Sequence, residues 1–421
     1  MPAPRILIVG GSTRAAADSV RRAGWQPVCA DLFADLDLRH TAEVIPVHRY
    51  PFSLPDDVAH VRADGWFYCG ALENHPEILR RILAANASYG PLLGTSPDAL
   101  RFVRNPQWLA EALRSAGVMS LEVASQSSPP TPDGSWLQKP LASAGGRSIR
   151  VWDETAAQIP FPEPHYFQHR ALGIGLSAIF RFESDEIEWL GASRELQTNS
   201  TFHAPSDFAY CGSCGPLNRM SMATGNSLDS RQRIHRPTEI PQEEDTSSVR
   251  VHSSAVDQKV IQHQLTAMAR VLVEKAPGLR GLVGLDFRLD GDTVWLTEVN
   301  PRYTASVEVL ELTSGRSFLN PHSIQTATTR HLATRSNPLL IAKQILYGSA
   351  ALKAPDLSRY LTVGDPWQIP IIADIPVPGT IIERGWPICT VFAEGTNNQT
   401  MESALSNRLT IIESALTEKS A

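Results

Sequence analysis

Apolar positions in the first hundred residues come in short runs separated by helical stretches. Ile6 to Val9 is a continuous apolar run of strand length, closed by Gly10-Gly11. Arg14 to Ala23 reads as a helix, Pro27 to Ala30 as a strand ending at Asp31, Gly65 to Gly70 as a later strand, and Pro76 to Ala87 as a helix. Strands alternating with helices at this spacing predict a doubly wound parallel sheet over residues 1–98. Pro97-Asp98 and Pro106 start two linking helices, the second stopped by Gly117. Further on, the pattern turns to strands. Ser177 to Phe182 and Ile187 to Ser193 read as one hairpin. Gly281 to Leu289 and Thr293 to Val299 read as another, with Asp290-Gly291-Asp292 as its turn. Ala255 to Lys275 is an amphipathic helix with Val260, Leu265, Met268 and Leu272 on its apolar face. A helix over Ala305 to Thr313, a strand–turn–strand over Ala373 to Ala393 and a last helix from about Thr400 to Leu416 complete the pattern. The expected class is α/β and α+β, in three units: 1–98, 99–325 and a small β-rich unit at 326–421.

Two polar stretches interrupt this order. Residues 124–135 form a Pro-rich connector, and residues 218–251 are charged, Ser/Thr-rich and without apolar periodicity. The second is expected to be a flexible insert at the edge of the active site.

The 281–299 hairpin carries candidate chemistry. Asp286 lies inside an apolar strand. Glu298 and Asn300, two residues apart on the return strand, point to one face. A carboxylate in such a strand is costly unless paired or bound to a metal. Two carboxylates and an amide oxygen suit a hard cation such as Mg²⁺, and Arg302 can reach an anion beside it. Upstream, Lys139 leaves a strand into Leu-Ala-Ser143-Ala-Gly145-Gly146-Arg147, where small residues let backbone amides approach phosphates closely.

These residues resemble a known family. Asp286 with Glu298-Val-Asn300-Pro-Arg302 is similar to the metal and transition-state strands of the ATP-grasp superfamily. Trp136 to Ile149 looks like its nucleotide strand and mobile glycine loop, and Tyr166-Phe-Gln168-His169-Arg170 sits where its adenine hinge is expected. The resemblance covers most of residues 100–320. It is closest to carboxylate–amine ligases related to biotin carboxylase. It implies ATP and Mg²⁺ as cofactors. Lys139, Ser143, Gly145, Gly146 and Arg147 would hold phosphates, while Gln168, His169 and Arg170 would border the adenine. Asp286, Glu298 and Asn300 would hold the metal, and Arg302 would be the catalytic cation. Arg104 stands where relatives often carry a nucleotide-contacting lysine, and the usual ribose glutamate is missing near Gly175-Leu-Ser177. Glu308 and Glu311 would lie near the site entrance, with a solvated helix face as the plainer reading.

The implied reaction activates a carboxylate as an acyl phosphate for attack by an amine. The resemblance points to glutamate and an aromatic amine, as in methanofuran-type cofactor biosynthesis. A bicarbonate-activating enzyme and a non-catalytic nucleotide-binding protein are the alternatives. The N-terminal domain would help bind the acceptor. There, Glu73-Asn74-His75 follows a strand end where open sheets place ligands, although an acidic helix cap explains it as well. Gly10-Gly11-Ser12 does not fit GxGxxG; it is either an anion-binding helix start or a structural turn.

Composition narrows the classes. A chain of 421 residues implies roughly two to four domains. A net charge of −6 argues against nucleic acid as a partner. No apolar run reaches the ~18 residues of a membrane span. Met1 to Arg5 leads straight into a strand, so a cytoplasmic location is expected. The expected partners are small-molecule carboxylate and amine substrates, with a homodimer allowed by the resemblance. Five cysteines are too few and too scattered for a disulfide framework. Cys211-Gly-Ser-Cys214 reads as a Gly-rich turn carrying two thiols in preference to a zinc or redox site.

Overall fold

Ile6, Leu7, Ile8 and Val9 are completely buried, which is what a continuous apolar run requires when both faces of its strand are covered. In this computed structural model, which describes residues 2–85, 89–183, 186–196, 200–220, 258–319 and 339–417, the run is the core of β1 (Arg5–Gly10). β1 joins β2 (Gln26–Asp31), β3 (Glu43–Pro46) and β4 (Gly65–Tyr68) in a parallel sheet of order β3-β2-β1-β4. Its helices are α1 (Arg14–Arg22), α2 (Leu36–Thr41), α3 (Leu54–Asp57) and α4 (Pro76–Ala85). Strand order reverses between β1 and β4, so the crevice beyond Gly10 and Tyr68 is the natural ligand position of this sheet.

Two capped helices follow, α5 (Pro97–Val103) and α6 (Pro106–Ser115). The Ser96 side chain accepts from the Ala99 amide, and the Asn105 side chain accepts from the Gln107 and Trp108 amides. A proline in each first turn sharpens the corner between them, where Arg104 sits. The next unit is a small antiparallel sheet of order β5-β8-β6-β7, built from β5 (Val123–Ser125), β6 (Asp133–Pro140), β7 (Arg150–Asp153) and β8 (His165–His169), with α7 (Glu154–Ala157) beside it.

The largest sheet begins with β9 (Ile174–Phe182), β10 (Ile187–Glu195) and β11 (Gly212–Gly215). It continues, after α8 (Gln258–Lys275), with β12 (Gly281–Asp290) and β13 (Thr293–Asn300). After α9 (Ala305–Ser314) come β14 (Leu340–Tyr347), β15 (Leu352–Lys353), β16 (Ile372–Ala373), β17 (Ile381–Ile382), β18 (Pro387–Gly395) and α10 (Asn398–Thr417). The sheet order is β13-β12-β9-β10-β11-β14-β18-β16, so the C-terminal strands extend the central sheet rather than forming one of their own. β15 and β17 make a separate two-stranded ribbon, which divides the strand–turn–strand expected over 373–393.

α8 buries Ile261, Leu265, Met268 and Leu272, a stripe at helical period. Val260, expected on that face, is 40% exposed because it lies one residue, about 100°, off the stripe. Of the expected 218–251 insert, all but the first three residues lie outside the described residues. No helix among the described residues is long and apolar enough to cross a membrane.

Candidate active site

The β12–β13 hairpin sets the geometry. Asp286 lies opposite Glu298 on one side and beside Ser177 of β9 on the other. The register slips between Asp286 and Phe287, so Thr297 is an extra, bulged residue. Its hydroxyl donates to the Asp286 carbonyl at 2.9 Å, and its own carbonyl faces the small sheet. There it accepts from Lys139 Nζ at 3.4 Å and from Gln168 Nε2 at 3.3 Å. Beyond the bulge, Asn300 Nδ2 donates to Asp286 Oδ2 at 2.6 Å. Arg302 donates to Asn300 Oδ1 at 3.2 Å and, through Nε, to Glu73 Oε1 at 2.8 Å.

Lys139 and Gln168 share one face of the small sheet because Lys139 pairs with Tyr166 and Leu137 with Gln168. Lys139 Nζ donates to Gln168 Oε1 at 3.0 Å. Burial works against the Lys139 charge, but Tyr166 and Glu298 outweigh it, and its pKa is raised. His169 pairs with Trp136 on the opposite face, with ring centroids 5.4 Å apart. Its imidazole therefore points away from Lys139, and only its backbone can border a nucleotide held there.

The loop after β6 is pinned from both sides. Ser143 O accepts from Asn74 Nδ2 at 3.0 Å and from Arg104 at 3.2 Å. Gly145 O accepts from the Tyr210 amide at 2.9 Å. Gly146, at φ +72°, lies so close to the Phe208 carbonyl that a Cβ would fall 1.7 Å from its oxygen, so no other residue fits. The Arg147 guanidinium stacks over Trp386 at 5.0 Å.

Arg104 is the hub. It donates to Glu298, to Asn74 Oδ1 at 3.1 Å and to the Val299 carbonyl at 3.3 Å. Burial alone would raise the Glu298 carboxyl, but Arg104 and Lys139 pull it below its ordinary value. At Asp286 the balance falls the other way, although Arg302 and the Asn300 amide pull its pKa down. Burial and the Glu298 charge push it up to about 6. Glu195, at the end of β10, is pushed up to about 8 by burial and by Asp286. Its Oε2 lies 2.7 Å from where a Cβ on Gly175 would stand, so that glycine makes the room.

The donor set fits a hard cation. Asp286 and Asn300 already touch, Glu298 stands opposite, and every donor is oxygen. No trio of His, Cys, Asp or Glu among the described residues is gathered closely enough to hold a metal. The third oxygen must come from the Asn300 amide.

Residues 243–306 match the family model for an ATP-grasp domain, and that span ends just past Arg302 and the β12–β13 hairpin. The match to the ATP-grasp domain model is confined to those residues. The whole chain is similar in fold to carboxyaminoimidazole ribonucleotide synthase from Aspergillus clavatus, solved with ATP, at 15% identity and a TM-score of 0.63, over 98% of this chain and 99% of that one. It is similar to L-amino acid ligase from Bacillus licheniformis at 11% identity and 0.62, over 97% of each chain. For phosphoribosylamine–glycine ligase from Thermotoga maritima the values are 13% and 0.59, over 96% of this chain and 95% of that one. At such identities the likeness is one of fold. No curated protein matches the sequence.

Two expectations fail in this structure. Glu308 and Glu311 neither face solvent nor border the entrance. They are 1% and 0% exposed, because α9 is sandwiched between the large sheet and α1. Glu308 pairs with Arg14 and with Lys343 at 2.8 Å, and Glu311 pairs with Arg22 at 2.8 Å. The Cys211–Cys214 stretch is not a turn but includes strand β11, which bridges β10 and β14. Cys211 donates to the Ala209 carbonyl and Cys214 faces Met220, so the thiols do not meet. All five cysteines are buried and none forms a disulfide.

Sequence reasoning missed Glu195. The signal was there: it follows Ser193 by two residues on a strand whose Ser193 pairs with Ser177, itself the neighbour of Asp286. Only the strand order, β12-β9-β10, makes that alternation meaningful.

Proposed function

We propose that this chain is an ATP- and Mg²⁺-dependent ligase that activates a carboxylate as an acyl phosphate for attack by an amine. The observation that carries the reading is one convergence. Lys139, Arg104 and Arg302, from three separate segments, surround Asp286, Glu298 and Asn300 beside a glycine loop. Lys139 and the amides of residues 143–147 would bind the ATP phosphates, with Arg104 reinforcing them from the α5–α6 corner. Mg²⁺ on Asp286, Glu298 and Asn300 would neutralise the β- and γ-phosphate oxygens. The γ-phosphoryl group passes to the substrate carboxylate, ADP leaves, and the amine then displaces phosphate to form an amide. Arg302, held charged by Glu73, would stabilise the acyl phosphate and the tetrahedral species after it. Glutamate with an aromatic amine is the substrate pair we favour.

Glu298→Ala tests this reading. Carboxylate- and amine-dependent ADP release should fall by about a hundredfold or more. The Mg²⁺-dependent thermal shift with ATP should weaken, while circular dichroism stays that of a folded chain. Full turnover in that variant would sink the metal assignment. ADP release driven by bicarbonate without any amine would replace the ligase with the carboxylase reading.

A further inference from the structure

Glu195, at the end of β10, has no part in the reaction above. Arg194 pairs with Leu176, which sets Glu195 beside Gly175 of β9. Its side chain lies across that glycine: Oε2 is 2.7 Å, and the β-carbon 3.6 Å, from where a Cβ on Gly175 would stand. β9 itself carries no acidic residue, so this carboxyl takes a place that the strand beneath it leaves empty. It faces the cleft between the two sheets, because the charge of Lys139, which crosses from the small sheet, acts on it. Among the described residues nothing donates a hydrogen bond to the carboxyl, and neither of its oxygens is sealed from solvent. Arg288, which pairs with Gly175 from the other side, turns instead to the Gly173 carbonyl at 3.0 Å.

We infer that Glu195 receives the ribose hydroxyls of the nucleotide, its carboxyl reaching them over Gly175. The inference rests on the ATP reading and specifies how the sugar would be held. Gly175 stands where β9 enters the sheet, just beyond the segment that ends at Arg170. A nucleotide running from Gln168 and Arg170 to the metal carboxylates would pass over it. Gly175 and Ser177 share a face, and Ser177 pairs with Asp286. The row of Glu195 therefore lies roughly 7 Å from the row of Asp286, a span that an extended nucleoside triphosphate covers between its sugar and its outer phosphates. The surroundings of Glu195 weigh against other occupants. Arg288 and Lys139 disfavour a cation there, while Asp286 and Glu298 disfavour an anion. Among the described residues no trio that includes Glu195 is gathered closely enough to hold a metal. Two neutral hydroxyls donate to a carboxyl without adding charge.

The test uses the full chain with Mg²⁺ and a matched pair of probes, ATP and 2′,3′-dideoxy-ATP, in calorimetric titrations. Wild type should bind ATP about tenfold or more tightly than the analogue. Glu195→Ala should bring the affinity for ATP down to that of the analogue and leave the analogue's own affinity unchanged. Gly175→Ala puts a methyl group where Oε2 now lies, so it should displace the carboxyl and lower the preference in the same way. It decides the matter where Glu195→Ala does not fold. Equal affinity of the two probes for wild type overturns the inference and leaves the ATP reading standing. So does a preference that survives in Glu195→Ala, or a loss in that variant that falls equally on both probes. Binding of neither probe to wild type removes both readings.

Discussion

The molecule buries charge in two places, and the two are finished differently. At the junction of α1, α9 and β14, Arg14 contacts Glu308, Asp374 at 3.0 Å, Asp18 at 3.4 Å and Asp37 at 3.7 Å. Lys343 closes on Glu308 from the sheet, Arg22 closes on Glu311, and the Thr390 hydroxyl donates to Asp374. Glu308 is held far below the ordinary carboxylate range: burial opposes this, but Arg14, Lys343 and Arg22 outweigh it. Around Asp286 the pairing stops short. Glu73 Oε2 and Arg104 Nε lack partners among the described residues, and Asp286 and Glu195 carry raised pKa values. A charge cluster whose work is to hold three segments together can be completed within the chain. One that is to accept a metal and a substrate, as we propose for the cluster around Asp286, has to stay incomplete, and that incompleteness costs stability.

The sharpest way to break this contrast is to remove one cation from each cluster. Arg14→Met leaves Glu308 and Asp374 buried with too little positive charge. Urea unfolding should show a loss of about 3–5 kcal/mol. Arg104→Met should cost less than half of that, since Glu298 keeps Lys139 nearby, yet it should lower ATP turnover far more than Arg14→Met does. Equal stability losses in the two variants would mean that the clusters do not differ as described.

A weaker effect separates them by pH. The folded-state pKa of Glu195 lies near 8 against 4.5 for a free glutamate. Between those values the folded chain keeps a proton that the unfolded chain has lost, so this group makes stability fall as pH rises through that window. Glu195→Gln removes the slope. The variant should gain about 1–2 kcal/mol on wild type at pH 8.5 and almost nothing at pH 4, after discounting for partial exposure. Glu308 runs the other way. Its lowered pKa contributes stability above about pH 4.5, and that stability is lost as the pH falls. Denaturation curves at the two pH values settle it, and a pH-independent difference for Glu195→Gln would refute the assignment.

What the sequence disclosed follows the same line. The β12–β13 hairpin was readable because its apolar residues, its Asp-Gly-Asp turn and the two-residue spacing of Glu298 and Asn300 are local. The first parallel sheet was readable because its strands are short apolar runs between amphipathic helices. Arg104 could be placed at its helix start, but its bond to Glu298 spans 194 residues and has no local signature. α9 misled because it is buried on all sides. Charges on a helix ordinarily mark its wet face, whereas here Arg14, Arg22 and Lys343 arrive from distant elements to meet them. The thiols misled for a related reason: glycines read as a turn serve here as a short strand joining two halves of one sheet.

The smallest effect concerns the glycine loop, and it asks which of its two sides holds it. Asn74 donates to Ser143 O and accepts from Arg104, tying the loop to the N-terminal domain. Gly145, Gly146 and Arg147 tie it to residues 208–210 and to Trp386. Asn74→Ala removes two hydrogen bonds, but Arg104 still donates to Ser143 O, so stability should drop by no more than about 1 kcal/mol. The KM for ATP should rise about threefold with kcat nearly constant, because the variant loosens the loop we propose to bind phosphates without touching the reacting atoms. Trp386→Ala, made beside it, should act about as weakly, since a half-exposed stacking contact contributes only about 0.5–1 kcal/mol. If the N-terminal side alone held the loop, Asn74→Ala would raise the KM by tens of fold while Trp386→Ala did nothing. Comparable small effects from both variants would show a loop gripped at two points, each weak enough to release when the nucleotide leaves.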